Sequence, residues 1–391
     1  MVQEPWASRE RGRFNLPPSR LALDASDLVT LTANGRSFPL RLTGLSVGLA
    51  IEAEAMSIEP QLYDAFAAPS RLLVAATPTV YGTQLGVFLD LPLIRGDEVP
   101  YAGHVAAFGS PWPGGVAFYR SPTTSGYTLK ALAATPAKIG ETVTAFHSGP
   151  VSRWDGGNVL RVAMANGELV SADPILVLGG ANVAAVENAD GEWEAIQFTT
   201  ATLVSPGVYD LSGLLRGQSG TEASMRDPVA AGAQFVLLDA AVRQVDMTQA
   251  DVGLAFNWKY GPAPYDIGDA SYQTATPAFN GIGLRPLSPV HVTGEQVVGG
   301  LLIAWIRRTR LGGDGWEQPD VPLGEDVERY EVDILDGADV VRTLTAETPS
   351  VTYTSAQQTT DFGSPQPSYA VRVYQLGAAY GRGQTREALV P

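Results

Sequence analysis

Glu52 and Glu54 stand two apart in a run where acids alternate with Leu49, Ile51, Ala53 and Ala55. In a strand that spacing puts both carboxylates on one face about 7 Å apart, a separation compatible with a glycosidase-like pair. No apolar neighbour would raise the pKa of either, and Arg41 on the adjoining run supplies the cross-strand partner expected of them. They therefore read as solvated charges. Glu192 and Glu194 flank Trp193 beside the Asp190-Gly191 turn; acid–aromatic neighbours are frequent in sugar sites and equally frequent at hairpin ends. Ser219 sits in Leu214-Leu215-Arg216-Gly217-Gln218-Ser219-Gly220-Thr221-Glu222, which has glycines but neither a phosphate-loop lysine nor a nucleophile elbow. It reads as a sharp strand exit, with His104 or His147 as the only histidines proposed to approach the serine. Asp314, Glu317, Asp320, Glu325 and Asp326 crowd one loop with Gly312, Gly313 and Trp316. The chemistry suits calcium but the spacing fits no EF-hand, and Arg307, Arg308 and Arg310 immediately precede, so mutual neutralisation is the simpler account. Trp112 between two prolines, Trp154 beside Asp155-Gly156-Gly157, and Trp316 are candidates to stack on a glycan or meet a neighbouring subunit. Packing plugs at turns are the commoner role of such tryptophans. No catalytic residue, metal or cofactor is expected.

Composition narrows the function further. The chain has 391 residues, no cysteine and three scattered histidines, His104, His147 and His291. That removes thiol nucleophiles, disulfides and cysteine-based metal sites, and leaves little for a histidine-rich one. Forty-one acidic against 26 basic side chains give a formal charge of −15. Such a surface repels phosphate backbones, so sequence-specific nucleic acid is not an expected partner. The longest apolar runs, such as Val297 to Ile306 with its Gly299-Gly300, fall well short of the roughly 20 residues of a membrane span. Met1 to Arg13 shows no apolar core of a secretory signal.

The elements that must position these residues are mostly strands. Asn34-Gly35, Asn166-Gly167, Asp190-Gly191 and Asp336-Gly337 each punctuate runs rich in Val, Leu and Ile. Phe38, Leu40 and Leu42 alternate with Pro39, Arg41 and Thr43, predicting a strand that turns near Ser46 to Gly48 into the Glu52 strand. A short helix around Gln61 to Phe66 and a boundary near residue 76 follow. Further strands are predicted at Val116 to Arg120, Asn158 to Met164, Ile175 to Leu178, Glu192 to Val204, Val208 to Leu215 and Gln234 to Leu238. Short helices are expected only near Glu222 to Ala230 and Met247 to Phe256, and Asn257 to Gly283 reads as an extended linker.

In the last segment Leu301, Ile303 and Trp305 share one strand face; Tyr330, Val332 and Ile334 share another; Tyr369, Val371 and Val373 a third. An early-strand tryptophan and a late-strand tyrosine resemble the fibronectin type III pattern, with Tyr369 as the corner tyrosine. Leu302, Ala304 and Ile306 make the opposite face of the tryptophan strand apolar too, which predicts that another domain or chain covers it.

Several phrases together resemble one family. They are LRLTGLSVGLAIEAEAMSIEPQLY over Leu40 to Tyr63, VFLDLPL and AFGSPWPG over Val87 to Leu93 and Ala107 to Gly114, the stretch from Glu192 to Glu222 ending in LSGLLRGQSGTE, and WIRRTRLGGDGW with VPLGEDVERY between Trp305 and Tyr330. They are similar to the C-terminal part of the tail-tip megatron, or host-specificity, proteins of gene transfer agents and siphophages. The resemblance implies a mainly β chain of hub-type domains followed by a fibronectin type III-like sandwich: a hub-like domain over 1–76, a tail-tip domain over 77–275 and the sandwich over 276–391. It implies a virion tail-tip component, a homotrimer, meeting other tail-tip and hub proteins and a host receptor or glycan during attachment, envelope crossing and DNA delivery. Related full-length proteins carry an upstream barrel of glycosidase appearance, and this sequence starts after it; no catalytic residue carries over. The competing reading is a carbohydrate-binding or carbohydrate-active protein with an accessory fibronectin type III module.

Overall fold

Alternating apolar residues and Asn-Gly or Asp-Gly turns yield a mainly β molecule. The computed structural model describes residues 8–59, 61, 80–313 and 321–391, in two units, Met1–Pro78 and Thr79–Pro391.

The first unit is one antiparallel sheet of β1 (Arg11–Leu16), β2 (Leu28–Ala33), β3 (Arg36–Val47) and β4 (Ile51–Ser57), in the order β1-β4-β3-β2. Asn34 and Gly35 join β2 to β3 with φ of 52° and 74°, the left-handed pair that a two-residue hairpin loop requires. Leu40, Leu42, Ala53 and Ala55 are buried on one face. Leu49 is fully exposed in the β3–β4 turn, so the buried alternation begins only at Ile51. The partner of the two acids is also corrected. Arg41 lies opposite Met56, whereas β1 flanks the other edge of β4 and puts Arg13 opposite Glu54. Arg13 pairs with Glu54 and reaches Glu52 at 3.8 Å. The boundary near residue 76 and the body of the helix expected from Gln61 to Phe66 lie outside the described residues.

The second unit continues with β5 (Leu85–Leu89), β6 (His104–Phe108), β7 (Val116–Ser121), β8 (Thr128–Ala133), β9 (Ile139–Thr142), β10 (Trp154–Asp155) and β11 (Leu160–Met164). Then come helix α1 (Pro174–Leu178), β12 (Val183–Glu187), β13 (Trp193–Ser205), β14 (Val208–Leu215), β15 (Gln234–Leu237), β16 (Arg243–Gln244), β17 (Asn257–Pro262) and β18 (Gln273–Ala275). Strands β14-β11-β9-β15-β12-β13 pair in series, and β13 pairs back onto β14, closing an antiparallel barrel with β10 attached to β14. Phe146, Val162, Ile196, Phe198, Leu211 and Phe235 are among the side chains that fill it. Outside the barrel, Ala185, Trp193 and Val236 pack against Val87 and Leu89 of the β16-β6-β5 sheet. Val105 and Ala107 on the opposite face of β6 join the core of the β18-β17-β7-β8 sheet around Phe118 and Trp258. A strand buried on both faces needs a continuous apolar run, which is why VFL and HVAAF do not alternate.

Three readings change here. Ile175 to Leu178 is helical rather than a strand, because Pro174 is fixed near helical φ after extended Asp173, and Gly179-Gly180 stops the turn. The helices expected near Glu222 and Met247 reduce to single 3₁₀ turns over Glu222–Ser224 and Gln249–Asp251. The segment read as a linker from Asn257 begins as β17, paired with β7, and its Trp258 is fully buried. The Asn34, Asp190 and Asp336 turns join paired strands. Asn166-Gly167 instead follows β11 on the way to α1, and Asn166 Nδ2 donates to the Ala137 carbonyl at 3.1 Å.

The last part is a sandwich of β19 (Val290–Val297), β20 (Gly300–Ile306), β21 (Tyr330–Asp336), β22 (Asp339–Ala346), β23 (Ser350–Thr354), helix α2 (Ser355–Phe362), β24 (Tyr369–Gly377), β25 (Gly381–Arg382) and β26 (Arg386–Val390). One sheet runs β19-β20-β23; the other runs β22-β21-β24 with β25 and β26 on β24. The three predicted inward rows are all buried in one core. Tyr369 Oη accepts the Gln366 N–H at 2.7 Å and donates to Gln358 Oε1 at 3.1 Å, the tyrosine corner read from the sequence.

Candidate functional site

The glycine-rich phrase at the exit of β14 organises a group of buried and half-buried charges in the second unit. Glu194 shares the inward face of β13 with Ile196 and Phe198, and all three are buried. Its carboxylate accepts Arg216 Nε at 2.7 Å and Nη2 at 2.8 Å, a bidentate pair with both side chains essentially unexposed. Arg216 also donates to the His147 carbonyl at 2.8 Å, lies 3.7 Å from Asp155 Oδ2 and stacks 3.7 Å over the Phe146 ring. Burial pushes Asp155 up, but hydrogen bonds from Asn158 and Gly157 and the Arg216 charge outweigh it and leave Asp155 below its ordinary value. A guanidinium bonded at each of its three nitrogens is how a charge survives at the end of an apolar barrel.

Beyond Arg216 the chain turns sharply. Gly217 (φ 57°) gives its N–H to Glu194 Oε1 at 3.1 Å, and a Cβ there would come within 3.0 Å of Glu222 Cα. Ser219 and Gly220 are left-handed too, and Thr221 Oγ1 receives the Ala195 N–H at 2.9 Å. The loop is therefore the strand exit expected from its sequence. Its last residue reaches the sandwich: Arg308 Nη1 donates to Glu222 Oε1 at 2.5 Å, while Nε and Nη2 hold the Ser288 carbonyl and hydroxyl at 2.7 Å each.

The other candidates disperse. Glu192 and Asp190 share Arg226. Ser219 has no hydrogen bond to a histidine among the described residues: His147 Nδ1 faces Asp227 at 2.8 Å, and His104 is buried on β6. Arg310 pairs with Glu325 at 2.8 Å, one pair of the neutralisation expected there; Arg307 lies 3.8 Å from Glu328, an acid outside the expected group, and Arg308 goes to Glu222. Among the described residues no cluster of three or more His, Asp or Glu is placed to hold a metal ion. Asp314, Trp316, Glu317 and Asp320 lie outside the described residues. Trp112 is half-buried against the β7–β17 core, while Trp154 on β10 is exposed beside Leu215. Leu302 and Ala304 are half-buried and Ile306 is 57% exposed; Glu295, Thr293, Thr352 and Ser350 lie opposite them. No helix among the described residues is long and apolar enough to cross a membrane. The buried Glu194–Arg216 pair and the Glu222–Arg308 link were missed from sequence. An acid–aromatic turn and an arginine at a strand end were the available signals, and neither reveals a partner before the register is known.

Residues 1–45 match a family model described as "Putative phage tail protein", and residues 137–236, which include most of the barrel and its exit loop, match "Rcc01698-like, C-terminal". The chain is phage-tail-like. These matches support a structural role in a virion tail and contacts with other tail proteins. No curated protein matches the chain. Among solved structures, the FN1–FN3 domains of chicken CNTN1 share 10% identity, with 80% of this chain and 99% of that one covered, at a TM-score of 0.19. The fibronectin type III character of the sandwich rests on its strand order and tyrosine corner.

Proposed function

We propose that the chain is a structural component of the tail tip, the baseplate hub or megatron of a siphophage or gene transfer agent. It assembles there as a homotrimer with other tip and hub proteins and serves host attachment, envelope penetration and DNA delivery. The observation that carries this reading is the presence of two tail-family segments in a chain whose barrel and sandwich are joined by the Glu222–Arg308 ion pair, and whose suggestive acids Glu192 and Glu194 are engaged by arginines. The Leu302, Ala304 and Ile306 face and exposed Trp154 are the proposed subunit contacts, since apolar surface next to polar rims suits association.

Disrupting the gene in a particle-producing bacterium tests the proposal. Tails lacking their distal structure and particles that fail to adsorb or deliver DNA are expected. Complete tails with unchanged delivery would refute it.

A further inference from the structure

A cleft of about 600 Å³ lies between the barrel's exit loop, the segment after β5 and the base of the sandwich. Among the described residues its walls carry Arg95, Arg216, Arg285, Arg308 and Arg310 against a single acid, Glu222, in a chain of formal charge −15. Three of these guanidiniums are committed: Arg216 to Glu194, Arg308 to Glu222 and Arg310 to Glu325. The other two bond no carboxylate among the described residues. The half-buried Arg285 side chain makes no hydrogen bond or ion pair there, although its charge acts on the half-buried Asp90 carboxylate, and the Arg95 side chain bonds the Asp239 carbonyl at 3.0 Å. Two guanidiniums without a bonded carboxylate in a recess fit a phosphate, whose oxygens accept their paired donors.

The rest of the wall suits a polyol. Ser152 and Ser219 line it in left-handed backbone conformations, and their hydroxyls make no hydrogen bond among the described residues. Glu222 Oε2 is a buried acceptor with no donor among those residues. No aromatic residue among the described residues lines the cleft, so none of them offers a nucleobase or a sugar ring a stacking face. Its size is in the range of small-ligand sites.

We propose that this cleft binds a phosphorylated sugar or polyol, with Arg95 and Arg285 on the phosphate and Ser152 and Ser219 on hydroxyls. The inference stands apart from the tail-tip role. Titration calorimetry of the whole chain with glucose 6-phosphate, inorganic phosphate, glucuronate and glucose tests it. Saturable binding of glucose 6-phosphate is expected, tighter than phosphate or glucuronate, with no binding of glucose. Arg285→Gln and Arg95→Gln should each weaken it at least tenfold with melting temperature unchanged. Absence of saturable anion binding, equal binding of glucose or glucuronate, or full affinity in folded Arg285→Gln would overturn it.

Discussion

Glu194 and Arg216, 22 residues apart, meet through two hydrogen bonds of 2.7 and 2.8 Å at the end of a barrel that excludes water from both. An acid beside a tryptophan suggests a catalytic carboxylate; its register makes it a structural anion. Breaking a buried pair leaves the surviving charge unpaired and costs about 3–5 kcal/mol, whereas replacing both partners by apolar groups costs less. Glu194→Leu and Arg216→Met should each lower stability by that amount in urea unfolding, with the double variant closer to wild type. Single variants near wild type would contradict the assignment.

The Glu222–Arg308 link joins the barrel loop to the sandwich, with each side chain a little over a fifth exposed. Solvent screening limits such a pair to about 1 kcal/mol. A double-mutant cycle of Glu222→Gln and Arg308→Met should give a coupling of that order, diminishing in high salt. Zero coupling would mean that this ion pair does not help to hold the two modules together.

Tyr369→Phe removes the acceptor of the Gln366 N–H and the donor to Gln358, both at the corner of the sandwich. Loss of about 1–2 kcal/mol is expected. Hydrogen exchange at the Gln366 amide should speed up while that of β21 changes little; unchanged protection would argue against the corner.

Burial lowers the His104 imidazole from 6.5 to about 4, and its Nδ1 has no partner among the described residues. Above 6.5 the ring is neutral in folded and unfolded chains. As pH falls, the unfolded chain takes up a proton that the folded chain refuses until about 4, so stability is lost across that window, by about 3 kcal/mol in all. In denaturant titrations from pH 7 to 4, wild type should lose more stability than His104→Gln. Parallel curves would refute the assignment.

The strand faces were legible wherever one face is buried. The Leu301, Tyr330 and Tyr369 rows fixed the sandwich, and Val208 to Leu215 was read to the residue. Errors arose where local pattern is ambiguous or partners are distant. Four apolar residues after Pro174 suit a helix or a strand alike, and Arg13 reaches Glu54 only because β1 returns to the far edge of β4. Trp258 lay in a Pro- and Gly-rich stretch whose strand is made by pairing with β7. The cleft arginines come from four separate segments, so no spacing announces them.

Immunogold labelling of intact particles with an antibody against this chain tests the central claim most directly. Gold at the distal end of the tail is expected on most particles. Gold confined to the head, or a chain found free with none on particles, would contradict it.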